Sequence, residues 1–135
     1  MTYEERKAWL WRYRDAKKLL KQLCYRLEEA RTAARHTTQN FSPTPSGSGD
    51  GQSLARAIER TDDLEHQVTF QLAECDALYE EIDEVLQQLE DFREYHIMKG
   101  YYLDIKTWEQ VAHDMNYSLS MIYVVRRKAM EQLRL

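Results

Sequence analysis

The chain has 135 residues, 43% of them hydrophobic and 31% charged, with only four Gly and two Pro. Such a composition excludes collagen-like, wholly disordered and disulfide-built chains, and no stretch approaches the roughly 18 consecutive apolar residues of a membrane span. The net charge of −4 argues weakly against indiscriminate binding to polyanions, but it is an average over four segregated blocks.

The first 36 residues carry ten Lys/Arg and five Asp/Glu. The opening MTYEERKAWLWRYR places charges where a signal peptide has its apolar core, and two distant cysteines suit a reducing cytosol, so a cytoplasmic protein is expected. Apolar residues recur at Trp9, Tyr13, Ala16, Leu20, Leu23, Leu27, Ala30 and Ala34 in alternating steps of four and three. This is the seam of one long helix, over about 2–36. Residues 37–53, TTQNFSPTPSGSGDGQS, hold both prolines and three of the four glycines and read as a polar flexible loop.

A second long helix, over about 54–91, follows the same alternation through Leu54, Ile58, Thr61, Glu65, Val68, Leu72, Cys75, Tyr79, Ile82, Leu86 and Leu89. Helices of this length, about 50 Å, expose a seam and need a partner. Residues 54–98 hold thirteen acidic side chains against three Arg, so the acidic helix suits the basic one across an antiparallel hairpin. A carboxylate at Leu72 is then expected to cost several kcal/mol. In that register Cys24 lies near residue 66, too far from Cys75 for a disulfide, and both read as packing residues. Leftover apolar surface at Leu10, Trp11, Leu19, Leu64, Leu78 and Val85 predicts a homo-oligomer, a dimer in the first instance. The expected architecture is all-α: residues 1–91 form the oligomerising hairpin, and residues 92–135 form a separate module, monomeric when isolated.

Within 92–135, Arg93 to Leu103 reads as a helix disrupted near Gly100. Thr107 and Gln110 have capping-box spacing at the start of the next helix, whose inner face is Val111, Ala112 and Met115. Asn116-Tyr117-Ser118 is a tight turn, with Asn116 suited to a left-handed backbone and Ser118 to an N-cap. The last helix turns Ile122, Val125, Ala129 and Leu133 inward. Its outer face begins uncharged and ends in Arg126-Arg127-Lys128. A short helix, a tight turn and a longer, basic-ended helix describe a helix-turn-helix. Uncharged residues suit base edges, and cations flanking them suit phosphates.

The segment TWEQVAHDMNYSLSMIYVVRRKAMEQL resembles region 4 of bacterial sigma factors, and GYYLDIKTW resembles the connector before it. In layout the chain is similar to small phage regulators of the RinA/ArpU type. The resemblance implies activation of late phage transcription through promoter DNA, with RNA polymerase as a further partner. Onto this sequence it carries DNA contacts at Thr107, Leu119, Ser120, Met121, Tyr123, Val124, Arg126, Arg127 and Lys128. The chain departs from the sigma pattern early in the recognition helix, where Leu119, Ser120, Tyr123 and Val124 offer no Arg or Gln for bidentate base contacts.

Other chemistry has little support. Glu109 and His113 share a helix face but lack further metal ligands. The run Glu80, Glu81, Asp83, Glu84 reads as a solvated face, and no nucleophile–base pair or phosphate loop is present. No catalytic residue, cofactor or metal is expected. Trp108 is expected to pack beneath the motif, and Trp11 to mark an oligomer contact. The expected function is sequence-specific binding of double-stranded DNA as a phage or prophage transcriptional regulator. The alternatives are a DNA-packaging protein like a small terminase subunit, or a coiled-coil adaptor that binds no DNA.

Overall fold

The computed structural model describes residues 1–39 and 50–135. They form five α-helices: α1 (Tyr3–Gln39), α2 (Asp50–Leu86), α3 (Phe92–Tyr102), α4 (Trp108–Met115) and α5 (Leu119–Gln132). The fold is all-α, with a long helical pair followed by three shorter helices. Both ends of the expected 37–53 loop are helical, and its central residues, 40–49, lie outside the described residues. The chain divides into two compact units, Lys18–Ala73 and Met1–Lys17 with Glu74–Leu135.

In the Lys18–Ala73 unit, α1 buries Leu20, Leu23, Leu27 and Ala30 as its alternation requires. The facing stripe of α2 differs from the sequence expectation. Leu64 and Gln71 are buried and Val68 half-buried, whereas Ile58 and Leu72 are exposed, Leu72 at 47%. Leu27, Ala30 and Leu64 form one cluster with Val68 against it. The reason is electrostatic. A stripe through Glu65 and Leu72 buries an unpaired carboxylate, which is costly. Rotating by one residue replaces Glu65 with Leu64 and brings Glu65 to the edge, where its Oε1 lies 3.3 Å from Arg31 Nη2. Cys24 is exposed rather than packed, and both cysteines are free thiols.

In the other unit, Tyr13 meets Tyr79 edge-on at 5.5 Å and Arg12 pairs with Glu81 at 3.1 Å. Leu10, Ile82 and Leu86 are fully buried, as are Ile97, Met98, Ile122, Ala129 and Met130. Helix α2 closes at Leu86, short of residue 91, and the chain turns to Asp91, whose side chain accepts from the Arg93 amide and caps α3. Helix α3 is not disrupted at Gly100. A Cβ there meets Val111 Cγ2 at 3.1 Å, so the glycine serves the close crossing of α3 with α4.

Three residues expected at an oligomer contact are used internally. Leu10 has no exposed surface, and Trp11 packs on Tyr101 and Tyr102 with ring centroids 5.6 and 6.5 Å away. Leu64 is likewise consumed in its own seam, while Leu19 stays exposed. Arg6 donates to the Met130 carbonyl at 2.5 Å, and the Gln88 amide side chain exchanges hydrogen bonds with the Arg134 backbone at 3.0 and 2.9 Å. The start of α1 and the end of the chain therefore fold as one body.

Candidate nucleic-acid interface

Helices α4 and α5 are fixed by local hydrogen bonds that the sequence encodes. The Gln110 amide donates to Thr107 Oγ1 at 3.1 Å and the Thr107 amide to Gln110 Oε1 at 2.9 Å, a complete capping box. Asn116 takes φ 58°, ψ 39° and closes α4, with its amide donating to Ala112 and His113. Ser118 then caps α5 by accepting from the Met121 amide at 3.2 Å. Ile97, Val111, Ala112, Ile122 and Val125 form the core beneath, ringed by Tyr101, Trp108, Met115 and Tyr117. Met130 completes the inner face of α5, and Leu133, the extended residue that ends the helix, is buried as well.

The outer face of α5 presents Ser120, Met121, Tyr123 and Val124 along its first two turns, then Arg127 and Lys128; Val124 is 63% exposed. Leu119 is half-buried at its start. Tyr123, Val124, Arg127, Lys128 and Glu131 line a groove on this face. Thr107 is exposed, but its hydroxyl and amide are both committed to the cap. Arg127 forms no ion pair among the described residues. Lys128 is different, with its Nζ 3.9 Å from Glu94 Oε1.

Arg126 is separated from its two basic neighbours. It is half-buried, with its guanidinium over the Trp108 ring at 5.1 Å and the Tyr123 ring at 4.8 Å. Its Nε is buried without a hydrogen-bond partner among the described residues. Trp108 packs under the motif as expected, stacked on Tyr101 at 3.8 Å and 10°.

Two residues escaped the sequence reading. Glu94 is 3% exposed; its Oε1 accepts from Gln132 Nε2 at 3.3 Å, while Oε2 has no partner among the described residues. Its spacing of three and four from Ile97 and Met98 was the available signal, since it puts Glu94 on their stripe. Arg14, a seam-flanking residue by sequence, donates to the Tyr101 and Lys106 carbonyls at 2.6 and 3.3 Å and so caps the C-terminal end of α3.

Charge pairing also braces the connectors. Lys106 and Asp114 are 2.8 Å apart, and their hydrogen bond raises the lysine pKa and lowers that of the carboxyl. Hydrogen bonding to Asp91 and then Tyr117 raises Arg93. The Asp83 carboxylate accepts from the Tyr95 hydroxyl at 2.7 Å and pushes its pKa up to about 12. Burial raises Tyr102.

Among the described residues no group of three or more His, Cys, Asp or Glu is placed to hold a metal, and no helix is long and apolar enough to cross a membrane. Comparison with protein-family models, curated proteins and solved structures finds no match.

Proposed function

We propose that the protein binds double-stranded DNA sequence-specifically and regulates transcription of phage or prophage genes in the cytoplasm, as a homodimer. One observation carries this reading: an exposed α5 face that is uncharged for two turns and then basic at Arg127 and Lys128, held on a capped tight turn. A recognition helix inserts its N-terminal residues into the major groove and meets phosphates as it leaves. Ser120 and Tyr123 supply hydrogen bonds to base edges, and Met121 and Val124 supply apolar contact for a thymine methyl.

The test is a salt titration of affinity on a duplex enriched from a random pool and on a scrambled duplex. Lys128→Ala weakens both alike and lowers the salt slope by about one. Tyr123→Ala loses about 1–3 kcal/mol of discrimination between them. A wild-type chain that shifts no duplex at low salt overturns the reading.

A further inference from the structure

Within the basic triplet Arg126-Arg127-Lys128, Arg126 lies nearest the base-facing side of α5 by sequence and suits either a base edge or a phosphate, yet its guanidinium is engaged elsewhere. Arg126 follows Tyr123 by three positions, which places both on one strip of α5. Its guanidinium lies over the Tyr123 ring at 4.8 Å and over the Trp108 ring at 5.1 Å. Trp108 stacks on Tyr101 at 3.8 Å, and Tyr101 also meets a second cation, Arg14, at 4.3 Å. Arg14 also lies 4.7 Å from the Trp11 ring and donates to the Tyr101 carbonyl at 2.6 Å. Four rings and two guanidiniums thus run in contact from α1 to the outer face of α5.

Each end of this stack has a different character. Trp11 belongs to a long helix whose neighbours Leu10 and Tyr13 are buried, whereas Tyr123 stands in solvent at 39% exposure. An exposed tyrosine ordinarily samples several rotamers, and ordering one on binding costs affinity. A planar cation clamped between two ring faces restricts that freedom, and only a guanidinium has the flat geometry to do so. The Nε of Arg126, buried without a hydrogen-bond partner among the described residues, shows the same allegiance: the half-buried side chain turns that nitrogen away from water and toward the stack.

We infer that Arg126 is a positioning residue that holds the Tyr123 ring on the DNA-reading face, and that it does not contact phosphate. This role rests on the proposed DNA binding, and it assigns phosphate contact to Arg127 and Lys128 alone.

The experiment uses the full chain, the enriched duplex and its scramble. Arg126→Met keeps the stem but removes the plane and the charge. It lowers affinity for the enriched duplex about tenfold, as Tyr123→Ala does, while the salt slope keeps the wild-type value. The double variant loses no more than either single one, because both remove the same contact. Arg126→Lys restores charge but not the plane, so it fails to recover the preference. A slope reduced by about one in Arg126→Met, recovered in Arg126→Lys, marks a phosphate contact and overturns the role. A measurement on the wild type stands if either variant misfolds: on adding the enriched duplex, a through-hydrogen-bond coupling to phosphate phosphorus appears at the Arg127 guanidinium and not at that of Arg126. Such a coupling at Arg126 overturns the role. A wild type that enriches no duplex overturns the DNA reading and this role with it, whereas the slope result overturns this role alone.

Discussion

Leu64 and Leu72 lie eight positions apart on α2, in the same compact unit, and differ in burial: 7% against 47% exposed. Truncating each to Ala therefore compares two registers of one seam with the chemistry held constant. Leu→Ala in a core costs roughly 2–5 kcal/mol, the sum of lost transfer energy and residual cavity. Leu64 packs on Leu27, Ala30 and Val68 in a seam only two helices thick, so collapse around it is easy and the low end applies, about 2–3 kcal/mol. Leu72 keeps nearly half its surface in water; full burial of a leucine is worth about 1.5–3 kcal/mol, so its truncation costs about 1.5 kcal/mol or less. The several kcal/mol that the sequence assigns to a carboxylate at Leu72 falls correspondingly. Urea denaturation followed by helical circular dichroism resolves such a difference. Equal losses in the two variants would refute the shifted register. Loss at Leu72 that fades as protein concentration rises would instead place it in a contact between copies.

Three further outcomes follow from backbone and charge. Asn116 sits at φ 58°, so Asn116→Val costs about 1–2 kcal/mol in thermal stability while Asn116→Gly is close to neutral. Ile105 is β-branched at φ 56°, and Ile105→Asn relieves that strain and raises the melting temperature by a few degrees, for a gain of about 1 kcal/mol. Tyr95 has its pKa raised to about 12 by Asp83, above the unfolded value near 10; its contribution is therefore complete below about pH 10 and lost as pH rises toward 12. Urea midpoints at pH 9 and 11.5 check this, with wild type and Tyr95→Phe converging at the higher pH.

Local signals in the sequence reported local structure faithfully. The Thr107–Gln110 box, the left-handed Asn116 and the Ser118 cap each depend on residues within four positions, and each is present. The inner face of α5 was equally readable, since Ile122, Val125, Ala129 and Leu133 obey a helical period and are all buried. What escaped depends on distant partners. The α2 stripe was ambiguous between Leu64/Gln71 and Glu65/Leu72, and the choice turned on Arg31, 34 positions from Glu65. Arg126 lies angularly nearer the base-facing side than Arg127 and Lys128 and by sequence suits either base edge or phosphate; its actual neighbour Trp108 is distant in sequence and gives no local sign. Glu94 was hidden for a related reason: a single carboxylate in a helix with exposed Arg93 and His96 gives no sign that Gln132 will cover it.

The boundary near residue 91, where seam periodicity ends, is not where packing ends. If residues 92–135 formed a separate module, they would bury their own core. They bury Ile97, Val111, Ala112, Ile122 and Val125 together, but Tyr102 lies edge-on to Trp11 and Tyr95 donates to Asp83. Arg6 and Arg14 from α1 satisfy carbonyls at Met130, Tyr101 and Lys106. A 92–135 fragment loses all of these and falls in the size range where one small core is marginal. It should therefore show weak helicity without a cooperative melt. The opposite excision should succeed. Lys17 and Glu74 end the stretches of α1 and α2 that belong to this unit, and packed helices lie about 8–10 Å apart. A linker of about four residues, within the usual range for antiparallel helices, joins them and deletes Lys18–Ala73. That spliced chain should melt cooperatively by circular dichroism and retain the α5 face, including weak affinity for duplex at low salt. A cooperative melt of 92–135 alone would restore the boundary at residue 91 and show that α1 merely leans on a finished module.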